Sequence, residues 1–204
     1  MSDKEFKSLH VSFLKKHNAI KWFLVSPFEG LRGRWFFPIV PNVNGMNVLD
    51  LCGAYGAFGA YLQATKGLRF NYTCLDANKH IIGLGPAYFK EFGLKEPNFI
   101  IHNIKKPLPF EVGEFDMIWL FGWCDPLFDC NRLFKEIHKV LRPNGMFIFS
   151  MAVSTADYKT RYTESELRKL LKETRFIIDS LSVIDHSKDF GVIVRKKFSV
   201  SSTD

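Results

Sequence analysis

Between Val48 and Gly59 the chain reads VLDLCGAYGAFG. An apolar run ends in Asp50 and Leu51, and a turn of small residues, Gly53, Ala54, Gly56 and Gly59, opens directly into a helical pattern. Small residues at such a turn let a ligand approach the backbone, and the helix that follows offers N–H groups that no helical carbonyl takes up. The chemistry this suits is binding of a nucleotide-like ligand, although a ligand-free strand-to-helix turn can use the same residues. The glycine spacing is G-x-x-G-x-x-G rather than G-x-G-x-x-G, which weakens a reading as a NAD site. Twenty residues beyond Gly56, at the end of the next apolar run, stands Asp76 in CLDANK. A carboxylate at a strand end can accept both hydroxyls of a ribose lying across the sheet. As a simple helix N-cap for the stretch from Asn78, Asp76 would not need that spacing.

Such a site requires strands and helices in alternation, and the sequence supplies them. MNVLDL, FNYTCLD, NFIIHN, FDMIWLF and GMFIFSM read as buried strands, while Ala57 to Lys66, Asn78 to Phe92 and Leu127 to Leu141 read as helices. Apolar strands separated by helices imply βαβ units and a parallel sheet covered on both faces. Thr163, Glu164 and Glu166 open a capped helix that ends near Thr174. RFIIDSLSVID and FGVIVRKKF follow, joined by HSKD, too short for a helical crossover, so the last strand should enter antiparallel. At the other end, Ser2 and Glu5 have capping-box spacing, and Phe6, Leu9, Phe13 and Leu14 predict an amphipathic helix to about His17. Pro27, Gly30, Gly33, Pro38 and Pro41 then interrupt every regular pattern. Residues 1–45 therefore read as a helical arm or lid, and residues 46–204 as one α/β domain.

Composition sets the outer limits. The 204 residues include 28 Lys and Arg against 21 Asp and Glu, and 47% are hydrophobic, which excludes a disordered chain. The net charge of +7 is uneven: residues 1–45 carry +4, residues 46–154 carry +1 and residues 155–204 carry +2. No apolar run approaches the ~18 residues of a membrane span, and the charged start MSDKEFKS lacks the apolar stretch of a secretory signal. A cytoplasmic protein without a membrane partner is expected. Cys52, Cys74, Cys124 and Cys130 form no C-x-x-C pair, so reduced thiols are expected rather than a metal site or a disulfide framework.

From Met46 to Lys197 the chain resembles the class I S-adenosylmethionine-dependent methyltransferases. VLDLCGAYG is similar to their first motif, close to V-L-D-x-G-x-G-x-G, with Cys52 and Ala54 in place of two glycines. LFKEIHKVLRPNGMFIFSM resembles their helix, turn and fifth strand, and YTESELRKLLKETRF their last helix. The resemblance implies an α/β, Rossmann-like three-layer sandwich whose mostly parallel seven-stranded sheet has an antiparallel last strand. It implies S-adenosyl-L-methionine as cofactor, with Asp50, Cys52, Gly53 and Gly56 at its amino-acid end and Asp76 on its ribose. Ala77 or Asn78 would flank the adenine, Asn103 and Ile104 would lie near its amino group, and Leu120, Phe121 and Gly122 would line the methyl end.

Catalytic residues are less visible, because methyl transfer needs a nucleophile held in line more than an acid or base. The segment GWCDPLFDCN should border the acceptor pocket, with Asp125 the weak candidate for a base. Asp125, Pro126, Leu127 and Phe128 are similar to the D-P-P-[FY] signature of amino-group methyltransferases, but lack its second proline. His138 reads as a surface residue. In the arm, Trp22, Phe23, Phe28, Trp35, Phe36 and Phe37 interleave with Lys21, Arg32 and Arg34, a mixture that could stack bases and contact phosphates. Closing a small-molecule pocket is the more ordinary use of such aromatics. The expected activity is therefore methyl transfer to a small molecule. The alternatives are RNA or protein methylation through the basic arm, or a non-catalytic subunit with the same fold.

Overall fold

In the computed structural model the described residues are 1–19, 39–121, 129–152, 162–184 and 189–197. The apolar runs become β1 (Asn47–Leu51), β2 (Asn71–Asp76), β3 (Asn98–Ile101), β4 (Phe115–Leu120), β5 (Leu141–Ala152), β6 (Phe176–Ile184) and β7 (Asp189–Lys196). They form one sheet in the order β3-β2-β1-β4-β5-β7-β6. The first five strands pair in parallel, and β7 runs antiparallel between β5 and β6. The helices are α1 (Asp3–Lys16), α2 (Ala57–Lys66), α3 (Lys79–Ile82), α4 (Gly85–Glu91), α5 (Cys130–Val140) and α6 (Glu164–Glu173).

Strand alternation divides the interior into two apolar layers. Leu49, Leu51, Ile118, Leu120, Phe147 and Phe149 pack on one face with Leu133, Phe134 and Ile137 of α5 and Leu167 and Leu171 of α6. Val48, Tyr72, Met117, Trp119 and Ile148 pack on the other with residues of α1, α2 and α4. This is the three-layer sandwich expected of a βαβ chain. Successive side chains of one strand feed opposite layers, so a single-residue slip in register would exchange them.

The N-terminal helix is part of this core. Ser2 and Glu5 form the capping box, and the Tyr61 hydroxyl of α2 donates to Asp3 at 2.9 Å. The buried face of α1 is Phe6, His10, Phe13 and Leu14, whereas Leu9 is 37% exposed. The expected apolar stripe is thus rotated, and a histidine occupies its centre.

Three expected elements are corrected. The predicted helix from Asn78 to Phe92 is two helices, α3 and α4. Asn78 caps the first through its side chain, and Pro86, which has no N–H to donate, sits in the first turn of the second. Gly85 there packs so tightly that a Cβ would lie 2.1 Å from the Phe99 ring. The Pro143-Asn144-Gly145 turn is a bulge within β5, where pairing with β4 jumps from Phe115↔Leu141 to Met117↔Met146 and Asn144 has a φ of 61°. His138 is half-buried, its ring edge-on to Phe176 at 5.4 Å, and burial lowers its pKa. The described part of the predicted Leu127–Leu141 helix begins at Cys130, with the Asp129 side chain as its N-cap.

Candidate functional site

The strand order reverses between β1 and β4, and the crevice beyond their C-terminal ends is where ligands bind in open α/β sheets. Leu51 and Leu120 are register partners at that edge, and Asp76 ends the adjacent β2. The turn from Cys52 to Gly56 lies across these ends.

The turn is fixed by β2 rather than by its own glycines alone. Gly53 N–H donates to the Leu75 carbonyl at 3.2 Å, and Ala54 N–H donates to Asp76 Oδ2 at 3.1 Å. The other carboxylate oxygen, Oδ1, accepts the Asn78 N–H at 2.8 Å. A carboxylate offers about four lone-pair positions, so these two bonds orient Asp76 and leave each oxygen able to accept once more. That is the acceptor set a vicinal diol needs.

Cys52, Ala54 and Gly56 all have positive φ, at 57°, 54° and 79°. The first and second are the positions where the first motif usually has glycine. The left-handed backbone is therefore retained although the residues that favour it are not, at a cost of roughly 1–2 kcal/mol per side chain. Gly56 precedes α2 with no side-chain cap, leaving the positive end of that helix to the crevice.

Beneath the turn lies Asp50, only 3% exposed, whose Oδ2 accepts the Tyr72 hydroxyl at 2.6 Å. A Cβ on Gly53 would sit 2.6 Å from Asp50 Cγ and 2.7 Å from Cys74 Sγ, so the backbone there passes directly over the carboxyl. Burial pushes the Asp50 pKa up to about 7, the Tyr72 hydrogen bond opposes this, and the nearby Asp76 adds to it. Burial, with Asp76 and Asp50 nearby, pushes the half-buried Cys52 thiol up to about 12. No basic side chain pairs with Asp50 or Asp76 among the described residues, so the crevice is acidic and favours a cationic ligand.

A second polar group supports the turn from the α1 side. His10 Nδ1 lies 2.6 Å from the Tyr88 hydroxyl, and its Nε2 lies 3.4 Å from that of Tyr55, a turn residue. All three are buried, and burial lowers the His10 pKa to about 4. Composition and motif reading missed Tyr72, His10, Tyr55 and Tyr88. The visible signal was two tyrosines, one inside the glycine turn and one on the strand ending in Asp76.

The other predicted residues fall as follows. Ala77 is exposed, and Asn78 spends its side-chain oxygen on the His80 and Ile81 N–H groups. Asn103 is exposed and accepts the Lys105 N–H at 2.9 Å. Ile104 is 5% exposed, its side chain in the core and its carbonyl accepting from Arg132. Leu120 is buried, and Phe121 stacks on Phe58 with centroids 5.1 Å apart. Gly59 does not belong to the crevice: a Cβ there would lie 2.3 Å from the Tyr72 ring, so it is a packing contact. Cys52, Cys74 and Cys130 form no disulfide with one another. Gly122, Cys124, Asp125, Lys21, Arg32 and Arg34 lie outside the described residues. Among the described residues no group of three or more His, Cys, Asp or Glu gathers to hold a metal ion, and no helix is long and apolar enough to cross a membrane.

Residues 42–197 match the family described as the methyltransferase domain. The demethylmenaquinone methyltransferase of Lactococcus lactis is 29% identical over 107 residues, 52% of this chain and 42% of that protein. The ubiquinone/menaquinone biosynthesis C-methyltransferase UbiE of Rickettsia typhi is 29% identical over 126 residues, 58% of this chain and 50% of that protein. The chain thus spans half or less of these curated relatives. Among solved structures, a SAM-dependent methyltransferase of Methanosarcina mazei superposes with a TM-score of 0.65 at 21% identity, covering 80% of this chain and 99% of that one.

Proposed function

Because the chain belongs to the class I S-adenosylmethionine-dependent methyltransferase family, we propose that it transfers a methyl group from S-adenosylmethionine to a small-molecule acceptor. The observation that carries this reading is Asp76, held at a strand end by two backbone N–H groups with acceptor capacity left on both oxygens. When bound, the cofactor supplies an electrophilic methyl on a sulfonium. Asp76 would take the ribose hydroxyls, and Ala77 and Asn78 would flank the adenine, with Asn103 and the backbone of Ile104 at its edge. Cys52, Gly53 and Gly56 would bound the amino-acid end. Asp50, through its place under Gly53, would hold the turn and set a negative potential toward an ammonium. Leu120 and Phe121 would exclude water from the reacting end, where positioning and desolvation can supply much of the rate. No acid or base from the described residues is needed for that step.

The quinone acceptors named for the two relatives favour a small apolar molecule over a macromolecule. Methyl-labelled cofactor tests this: the intact chain is incubated with cell extract, and label is followed into solvent-extractable, RNA and protein fractions. Label in the solvent-extractable fraction supports the proposal. Label confined to RNA or protein, or no transfer at all, contradicts it.

A further inference from the structure

At the opposite end of the sheet from Asp76, the starts of β2 and β3 border a half-open cavity of about 460 Å³. Asn71 and Asp76 are the two ends of β2, so roughly 17 Å of extended backbone separates this cavity from the crevice. Its volume is that of a small-molecule pocket. Its floor and walls include Gln63, Phe70 and Tyr72, and its rim includes Arg69, Lys95 and Glu96.

Several of these side chains lack the partners their chemistry calls for. Gln63 is 8% exposed, and its side-chain amide makes no hydrogen bond to a described residue, while its backbone carbonyl accepts from Arg69. As a lining residue of the cavity, it presents an amide donor and acceptor there. Arg69 donates Nη1 to the carbonyls of Gln63 and Leu68, which anchors the guanidinium and leaves its Nε and Nη2 edge without an acceptor among the described residues. Neither Arg69 nor Lys95 forms a salt bridge with Glu96 or with any other described carboxylate. The Phe70 ring is packed edge-on against Tyr72 and Trp119, giving a rigid apolar wall.

We propose that this cavity binds a small organic monoanion, a carboxylate on a flat apolar body. The free edge of Arg69 matches a carboxylate bidentately, and Lys95 adds a second positive charge. Phe70 and Tyr72 receive the apolar body, and the Gln63 amide receives a polar substituent. Glu96 on the same rim repels a second negative charge and so disfavours phosphate. No residue assigned to contact the cofactor lines this cavity, although Tyr72, which does line it, also donates to Asp50 under the cofactor turn.

The test is titration of isotope-labelled full-length protein with benzoate, benzamide and inorganic phosphate, read by NMR at the Gln63 side-chain amide. Benzoate should shift that signal saturably, with a Kd of about 1 mM or below. Benzamide and phosphate should bind about tenfold more weakly or not at all. Arg69→Met should weaken benzoate about tenfold, and Lys95→Gln, in an exposed residue, should weaken it about threefold. No saturable benzoate shift up to roughly 20 mM overturns the proposal. Equal binding of benzamide or phosphate, or benzoate binding unchanged in both variants, does the same.

Discussion

The Tyr72 hydroxyl donates a 2.6 Å hydrogen bond to the buried carboxyl of Asp50. The bond crosses from β2 to β1 directly under the turn of the crevice, where Gly53 leaves no room for a side chain. The two residues therefore act as one support for the turn. Tyr72→Phe leaves a buried carboxyl without its donor and should destabilise the fold by about 1–3 kcal/mol in urea unfolding. Combining it with Asp50→Ala should cost less than the sum of the single changes, because both remove one interaction. Strict additivity would contradict the coupling.

The pH dependence of stability should carry two opposing contributions that run over nearly the same window and largely cancel in the unaltered protein. His10 has its pKa lowered to about 4 in the fold, below its ordinary 6.5, so the unfolded chain binds more protons between those values. Stability should therefore fall as pH drops from 6.5 toward 4, by roughly 3 kcal/mol at most. Asp50 is raised from 3.8 to about 7, so the fold binds more protons across that window. Its contribution is full below 3.8 and is lost as pH rises through about 7, by roughly 4 kcal/mol at most. His10→Gln should leave stability falling as pH rises from 4.5 to 7.5, and Asp50→Asn should leave it rising over the same range. Unfolding curves of the two variants at pH 4.5 and pH 7.5 check both signs.

The turn should respond oppositely to glycine at neighbouring positions. Cys52→Gly and Ala54→Gly remove side chains from residues at positive φ and should stabilise the protein by up to about 1 kcal/mol each, after the entropy cost of glycine. Gly53→Ala places a Cβ against Asp50 and Cys74 and should cost about 3 kcal/mol or more. Thermal melting of the three variants decides. The same burial that raises the Cys52 thiol to about 12 should leave it slow to alkylate at neutral pH.

Much of this arrangement is legible in the sequence. Apolar runs separated by helical periods give the parallel sheet, and the short HSKD connection gives the antiparallel β7. The spacing from Gly56 puts Asp76 at a strand end beside the turn. What stays hidden depends on register. NYTCLD shows that Tyr72 and Cys74 share a face, but only the pairing of β1 with β2 brings the Tyr72 hydroxyl to Asp50. Gly59 looks like part of the ligand turn because its contact, the Tyr72 ring, lies on another strand. His10 is polar, so the periodicity of α1 passes over it in favour of Leu9, although two tyrosines distant in sequence make its burial possible.

Calorimetric titration of the intact chain with S-adenosylhomocysteine tests the central claim most directly, alongside Asp76→Asn, which keeps one acceptor oxygen for the turn. The account predicts saturable binding to the unaltered chain, weakened roughly 10- to 100-fold in the variant by loss of charged hydrogen bonds. No saturable binding by the unaltered chain, or equal binding by both, would contradict it.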